Sequence, residues 1–139
     1  MPPAISALTG VYDADGTLVG ELRYFLGARL GRAHCALCDI THGSVRERPE
    51  WRECRDGLAV PFATVHRDEQ SPAVAGATAG GYPAVVATLD DGTALCLLGA
   101  EDLEIAARAE DRQAALVAAV EAAAADRGLG WSPGSLRGP

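Results

Sequence analysis

The sequence predicts a single-domain α/β protein with a mixed sheet of about four strands flanked by helices. Three stretches carry this prediction: an apolar run near the start, "ISALTGVY"; two apolar runs around Asp-Asp-Gly, "YPAVVATLDDGTALCLLG"; and a long alanine-rich segment after them. At 139 residues, 48% of them hydrophobic, the chain has enough apolar side chains for one core. We assign residues 1–131 to this domain and residues 132–139 to a C-terminal tail.

In the first half of the chain, a strand at "ISALTGVY" precedes two helical segments. Residues 17–30, "TLVGELRYFLGARL", have leucines at helical spacing, but their internal glycines favour a hairpin turning at "DADG" as the alternative. The segment "RPEWRECRDG" predicts a short helix with Pro49 in its first turn and Gly57 at its end. A strand at "LAVPFATVH" follows, although Pro61 weakens it.

In the second half, residues 68–81, "DEQSPAVAGATAGG", are rich in small residues and predict a mobile loop. The two apolar runs after this loop predict a hairpin that turns at Asp-Asp-Gly. Residues 102–127 have helical periodicity and predict one alanine-rich helix, which Gly128 would cap.

The order of these elements, with Pro83 opening the hairpin, resembles the thioredoxin-like fold. The resemblance covers residues 82–127, where the hairpin and closing helix are similar to the last two strands and final helix of that fold. It implies that Pro83 is the family's cis-proline. In the family, Cys-x-x-Cys directly follows the first strand, whereas here residues 13–18, "DADGTL", hold that place and the cysteines come later. This departure puts a redox role by family analogy in doubt.

The stretch "YDADGTL" is similar to the first motif of the haloacid-dehalogenase-like phosphatases. That resemblance implies that Asp13 attacks phosphate, that Asp15 acts as acid and base, and that Thr17 completes the motif. The simpler interpretation is a strand end followed by an Asx-type turn and a helix cap. We adopt the simpler interpretation, because the chain contains no lysine to steady a phosphate and no convincing later acidic motif.

The most specific signal is "HCALCDITH", residues 34–42, in which two cysteines, two histidines and an aspartate lie close together. If this segment is helical, one sector of about 100° contains Cys35, Cys38, Asp39 and His42. Leu37 and Ile40 point the other way, toward a core. The polar and apolar side chains therefore separate onto two faces of the predicted helix.

This arrangement permits Cys35, Cys38 and His42 to bind one Zn²⁺ or Cu(I) ion, since thiolate and imidazole groups suit both metals. The helix presents at most three ligands, so a fourth must come from elsewhere. We rank Cys54 first, because it lies shortly before the strand "LAVPFATVH", and then His66 at the far end of that strand.

Two neighbours of these ligands have supporting roles in the prediction. Asp39 is the third candidate for the fourth ligand. His34 lies next to Cys38 on the helix surface and would hydrogen-bond to a ligand rather than bind the metal.

Two other functions compete with metal binding, and whether the protein is an enzyme stays open. In a thiol–disulfide oxidoreductase, Cys35 would be the nucleophile and Cys38 the resolving thiol, with His34 lowering the pKa of Cys35. In a non-catalytic interaction module, the cysteines would be buried and inert.

The acidic formal charge of −7 argues against nucleic acid or an anionic membrane as a partner. No apolar run approaches the roughly 20 residues of a membrane span. The N-terminal sequence "MPPAISALTG" lacks the basic and apolar regions of a signal peptide. We therefore expect a cytoplasmic protein, in which cysteines serve as metal ligands or redox groups rather than structural bridges.

Overall fold

A mixed sheet lies at the centre of the computed structural model, which describes residues 3–13, 36–41 and 48–132. Its strands are β1 (Ala4–Val11), β2 (Phe62–Val65), β3 (Ala84–Leu89), β4 (Ala94–Leu98) and β5 (Gly130–Trp131). The strand order is β2-β1-β3-β4; β1 is parallel to β2 and antiparallel to β3, and β3 is antiparallel to β4. The predicted α/β class with a mixed sheet is confirmed.

The short strand β5 adds to the four strands expected from the sequence. It pairs in parallel with β1 at Ala4 and Ile5. The Ser132 N–H donates to the Ile5 carbonyl oxygen at 2.8 Å and extends this pairing by one hydrogen bond. The rest of the expected tail lies outside the described residues.

Helices cover both faces of this sheet. They are α1 (Ala36–Thr41), α2 (Pro49–Asp56), α3 (Pro72–Thr78), α4 (Ala100–Ala107) and α5 (Arg112–Asp126), and a 3-10 turn spans Arg67–Glu69. The predicted helix that starts at Pro49 and ends before Gly57 is confirmed. None of the helices in the described part of the chain is long and apolar enough to cross a membrane. Residues 17–30, with their two competing predictions, lie outside that part.

The larger apolar cluster lies between one sheet face and the helices α1, α2, α4 and α5. Its fully buried side chains include Leu8 from the sheet, Ile40 from α1, Trp51 from α2 and Leu116 from α5. A smaller cluster on the opposite face packs Val74 of α3 against Val11 and Val86. Because side chains alternate along a strand, this central sheet is apolar on both faces.

The hairpin and the start of β2 match the sequence-based expectations in most respects. The chain turns between β3 and β4 at Asp90-Asp91-Gly92, where Gly92 has a φ of 89°. The Tyr82–Pro83 peptide bond is cis, as expected. The strand predicted from "LAVPFATVH" begins only at Phe62, because Pro61 has no N–H to donate to a neighbouring strand.

The prediction of a loop over residues 68–81 is wrong, because residues 72–78 form α3. The Ser71 side chain accepts a hydrogen bond from the Val74 N–H at 3.3 Å, and Pro72 occupies the first helical turn. Val74 and Thr78 are buried, one turn apart on the same face. A capped start and an apolar contact with the sheet thus outweigh the small-residue composition.

The prediction of one continuous helix over residues 102–127 is also wrong, because the chain forms α4 and then α5. The Asp111 carboxylate accepts from the Ala114 N–H at 3.1 Å and caps a new helix. The predicted glycine cap at the far end is confirmed: Gly128 has a φ of 68°, and its N–H donates to Ala125 O. The Leu129 N–H donates to Ala124 O at 2.9 Å and completes a Schellman motif.

Replacing Gly76 with alanine tests the assignment of α3. A Cβ atom at this helical position would meet no atom within 4 Å. Alanine should therefore raise the free energy of unfolding by about 0.5–1 kcal/mol, measured by urea denaturation. Gly80→Ala is the control, since a φ of 81° at that position should make alanine destabilising. A loss of stability in Gly76→Ala would contradict the helix.

Replacing Gly10 with alanine tests the packing of α1 on β1. A Cβ atom there would lie 3.0 Å from both Leu37 Cδ2 and Phe62 Cε1. Such overpacking should lower the free energy of unfolding by about 1–3 kcal/mol. Because Leu37→Ala would remove one of the clashing groups, the double variant should lose less stability than the sum of the two single variants. Additive losses would show that Leu37 does not pack on Gly10.

Candidate functional site

The orientation of α1 agrees with the two faces expected for the cysteine–histidine segment. Leu37 and Ile40 are 0% exposed and belong to the larger apolar cluster, whereas Cys38 is only partly buried at its margin. Three members of the segment, His34, Cys35 and His42, lie outside the described residues. The side chain of Asp39 is likewise outside the description, although its backbone is helical.

The carboxyl end of α1 is held by hydrogen bonds to distant parts of the chain. The Thr41 hydroxyl donates to Leu37 O at 3.1 Å, which leaves its oxygen to accept from the Tyr12 hydroxyl at 2.8 Å. The Gln113 side chain donates to Ile40 O at 2.9 Å, and the Arg48 N–H donates to Thr41 O at 2.8 Å. Terminal helix carbonyls that would otherwise be orphaned are satisfied in this way.

Cys54 of α2 lines a groove of about 530 Å³ between α2 and α5. Burial raises the pKa of its thiol, and the carboxylates of Asp111 and Glu53 raise it further. The thiol therefore stays protonated at neutral pH, while the same carboxylates favour a positive charge nearby. We call this space the α2–α5 groove; it is lined by Glu53, Cys54, Gly57, Leu58, Ala59, Ala114, Val117, Ala118, Glu121 and Trp131.

His66 lies at the opposite end of β2 and is oriented by Glu69. One Glu69 carboxylate oxygen, Oε1, is 2.7 Å from His66 Nδ1 and accepts from the His66 backbone N–H at 2.8 Å. These two hydrogen bonds lower the pKa of Glu69. Because the ionised carboxylate only accepts, Nδ1 carries a proton, and Nε2 is the nitrogen through which His66 would bind a metal.

Two further contacts connect His66 and its neighbour with the carboxyl end of β1. The rings of His66 and Tyr12 lie 5.5 Å apart, centroid to centroid. The Arg67 guanidinium donates to the Asp13 carboxylate at 3.2 Å. Asp13 is the residue that the phosphatase resemblance makes a nucleophile, and its ion pair is consistent with the structural interpretation. Asp15 and Thr17 lie outside the described residues.

The fourth-ligand candidates that the structure describes are in different places. Cys54 lies in the α2–α5 groove, and His66 lies at the carboxyl end of β2. Sequence reasoning identified both residues. It missed Tyr12 and Gln113, which hold the end of α1, and Glu69, which orients His66. Only Glu69 had a local signal, its position three residues after His66.

Comparison with known proteins yields no relative: no family model, no curated protein and no solved structure matches the chain. Among residues 3–13, 36–41 and 48–132, no group of three His, Cys, Asp or Glu side chains is placed to hold a metal ion. The ligand set predicted from the sequence also includes Cys35 and His42, outside those ranges. Cys54 and Cys96 are free thiols.

Alkylation of Cys54 tests the negative field in the α2–α5 groove. Since burial and two carboxylates raise the thiol pKa, Cys54 in chelator-treated protein should react more slowly at mildly alkaline pH than in the unfolded chain. Asp111→Asn keeps a side chain that can cap α5 but removes the charge, so it should speed the reaction about two- to fivefold. Peptide mass spectrometry measures the rate at each cysteine.

The matched control for this experiment is Asp90→Asn, which removes one exposed carboxylate from the hairpin turn. It should leave the alkylation rate of Cys54 unchanged, because Asp90 contributes nothing to the raised pKa of Cys54. Equal rates in wild type, Asp111→Asn and Asp90→Asn would show that the carboxylate of Asp111 does not act on this thiol.

Proposed function

We propose that the chain is a small metal-binding protein that holds Zn²⁺ or Cu(I) on the Cys38 face of α1. The ligands on this face are Cys35, Cys38 and His42. The observation that carries the proposal is the burial of Leu37 and Ile40. The side of α1 that carries these two residues faces the core, and Cys38 lies on a different side of the helix. The sequence spacing of three and four residues would put Cys35 and His42 on the side of Cys38 in a helix that includes them.

The chemistry of this donor set fits the two metals. Thiolate and imidazole ligands are those that Zn²⁺ and Cu(I) prefer, and zinc takes four ligands in a closed structural site. A cytoplasmic location belongs to the same proposal, because thiols stay reduced there and remain available to a metal. The proposal involves neither nucleic acid nor a membrane.

Cys54 is the proposed fourth ligand. The Arg48 N–H donates to Thr41 O, so α2 begins beside the end of α1, and Cys54 follows within the same helix. The carboxylates of Asp111 and Glu53, which raise the pKa of its thiol, would stabilise a bound cation. His66 is the competing ligand, because Glu69 contacts its Nδ1 and Nε2 is the nitrogen that would bind a metal.

The proposal also includes a fold family: we infer that the sheet and helices are arranged as in the thioredoxin-like fold. The strand order β2-β1-β3-β4, with a parallel β1–β2 pair and an antiparallel hairpin, supports this inference. Ala84, the residue after Pro83, pairs with Val11 at the end of β1. The cysteines lie elsewhere in the chain than the family's redox motif, which favours metal binding over dithiol chemistry.

Metal content measures the proposed function directly. Protein purified without a chelator or a metal-affinity tag should contain about one equivalent of zinc or copper by elemental analysis. Cys38→Ser should lose this metal. Cys96→Ser is the matched control: its thiol is half-buried on β4 and donates to Leu98 O at 3.3 Å, so this variant should keep the metal.

The fourth ligand is distinguished by two further variants in the same assay. If Cys54 closes the site, Cys54→Ser should retain less metal and melt at a lower temperature, whereas His66→Gln should behave like wild type. The reverse pattern would make His66 the ligand. A metal-free wild type that forms a Cys35–Cys38 disulfide on oxidation would contradict metal binding and favour a thiol–disulfide oxidoreductase.

A further inference from the structure

The α2–α5 groove has the size and lining of a recognition surface. Its volume of about 530 Å³ lies within the range of ligand-binding clefts. Leu58, Val117 and Trp131 are half-buried and supply apolar surface. On α5, Ala114 and Ala118 are exposed and one turn apart, so the backbone of a docked element can approach closely there.

The charged side chains that line this groove in the described part of the chain are both acidic. Glu53 of α2 and Glu121 of α5 are exposed on its two sides. Arg55, two residues after Glu53 on α2, forms an ion pair with Asp56 and lines a different cleft.

We propose that the α2–α5 groove docks a basic amphipathic helix of a partner protein. One arginine or lysine of the partner would pair with Glu53 and another with Glu121, while its apolar face packs on Leu58, Val117 and Trp131. Two carboxylates on opposite sides of an apolar floor complement a helix that carries basic residues on both flanks of an apolar stripe. The formal charge of −7 on the whole chain steers such a partner toward this protein.

Two other occupants fit the groove less well. Nucleic acid is repelled by the carboxylates, although its bases could stack on the ring of Trp131. The chain's own residues 133–139 follow Ser132 directly and contain one arginine, Arg137, for two carboxylates. A basic helix from a partner satisfies both carboxylates and the apolar floor together.

A synthetic helix provides the probe for this site. The peptide has leucines at helical spacing flanked by arginines, carries fluorescein, and is compared with a version that has glutamate in place of every arginine. With the full-length protein, fluorescence anisotropy should show binding of the arginine peptide only, weakening as salt rises. The indole N–H resonance of Trp131, assigned with Trp131→Phe, should shift on binding, whereas that of buried Trp51 should not.

Neutralising the groove carboxylates should weaken this binding. The double variant Glu53→Gln, Glu121→Gln should lose at least about tenfold in affinity, the scale of two charge-assisted contacts. The matched control removes the same charge elsewhere, with Asp90→Asn and Glu101→Gln, both exposed outside the groove. Melting temperatures should be unchanged in both double variants, so a loss of affinity reports the groove charges and not unfolding. Cys38→Ser, which lies outside the groove, tests the proposed metal site separately by elemental analysis, so either proposal can fail without the other.

Three results would overturn the inference. Equal affinity of the two double variants would show that attraction depends on net charge alone. Binding without a shift of the Trp131 resonance would place the peptide elsewhere. Binding that appears only after removal of residues 133–139 would identify the chain's own C-terminal segment as the occupant of the groove.

Discussion

Close packing of α1 against β1 is the contact on which the proposed metal site depends. Gly10 has no side chain, so Leu37 and the Phe62 ring can both lie against the backbone of the central strand. That contact sets the rotation of α1, and with it the direction in which Cys38 faces. Hydrogen bonds from Tyr12 to Thr41 and from Gln113 to Ile40 then hold the end of the helix against β1 and α5.

The two candidate functional regions, the carboxyl end of β2 and the α2–α5 groove, differ in how the charge of their carboxylates is compensated. At the carboxyl end of β2, the negative charge of Glu69 is stabilised locally, because one of its oxygens accepts from two groups of His66. In the α2–α5 groove, by contrast, burial raises the pKa of the Cys54 thiol, and the carboxylates of Asp111 and Glu53 raise it further. A cation is the species that relieves this second arrangement, whether it is a metal bound by Cys54 or a basic side chain of a partner.

Metal binding and partner binding meet on α2, where Glu53 directly precedes the proposed ligand Cys54. The proposed metal site needs deprotonated thiols and an imidazole on α1, with Cys54 reaching in from α2. Partner binding uses exposed carboxylates and apolar side chains along α2 and α5. Since α2 contributes to both, a bound metal would also hold one wall of the α2–α5 groove in place, and stability and docking would be linked through that helix.

Local patterns in the sequence determined the strands, the hairpin, the helix after Pro49 and the glycine cap at Gly128, because each depends on residues within a few positions. The loop predicted for residues 68–81 failed because a helix can be decided by one cap and by two side chains buried on a distant sheet. The tertiary structure alone decided which residues support α1. Tyr12 and Thr41 are 29 positions apart, and Gln113 and Ile40 are 73 apart, so no periodic pattern connects them. Hydrogen bonds between such distant groups form only when packing of the whole chain brings them together.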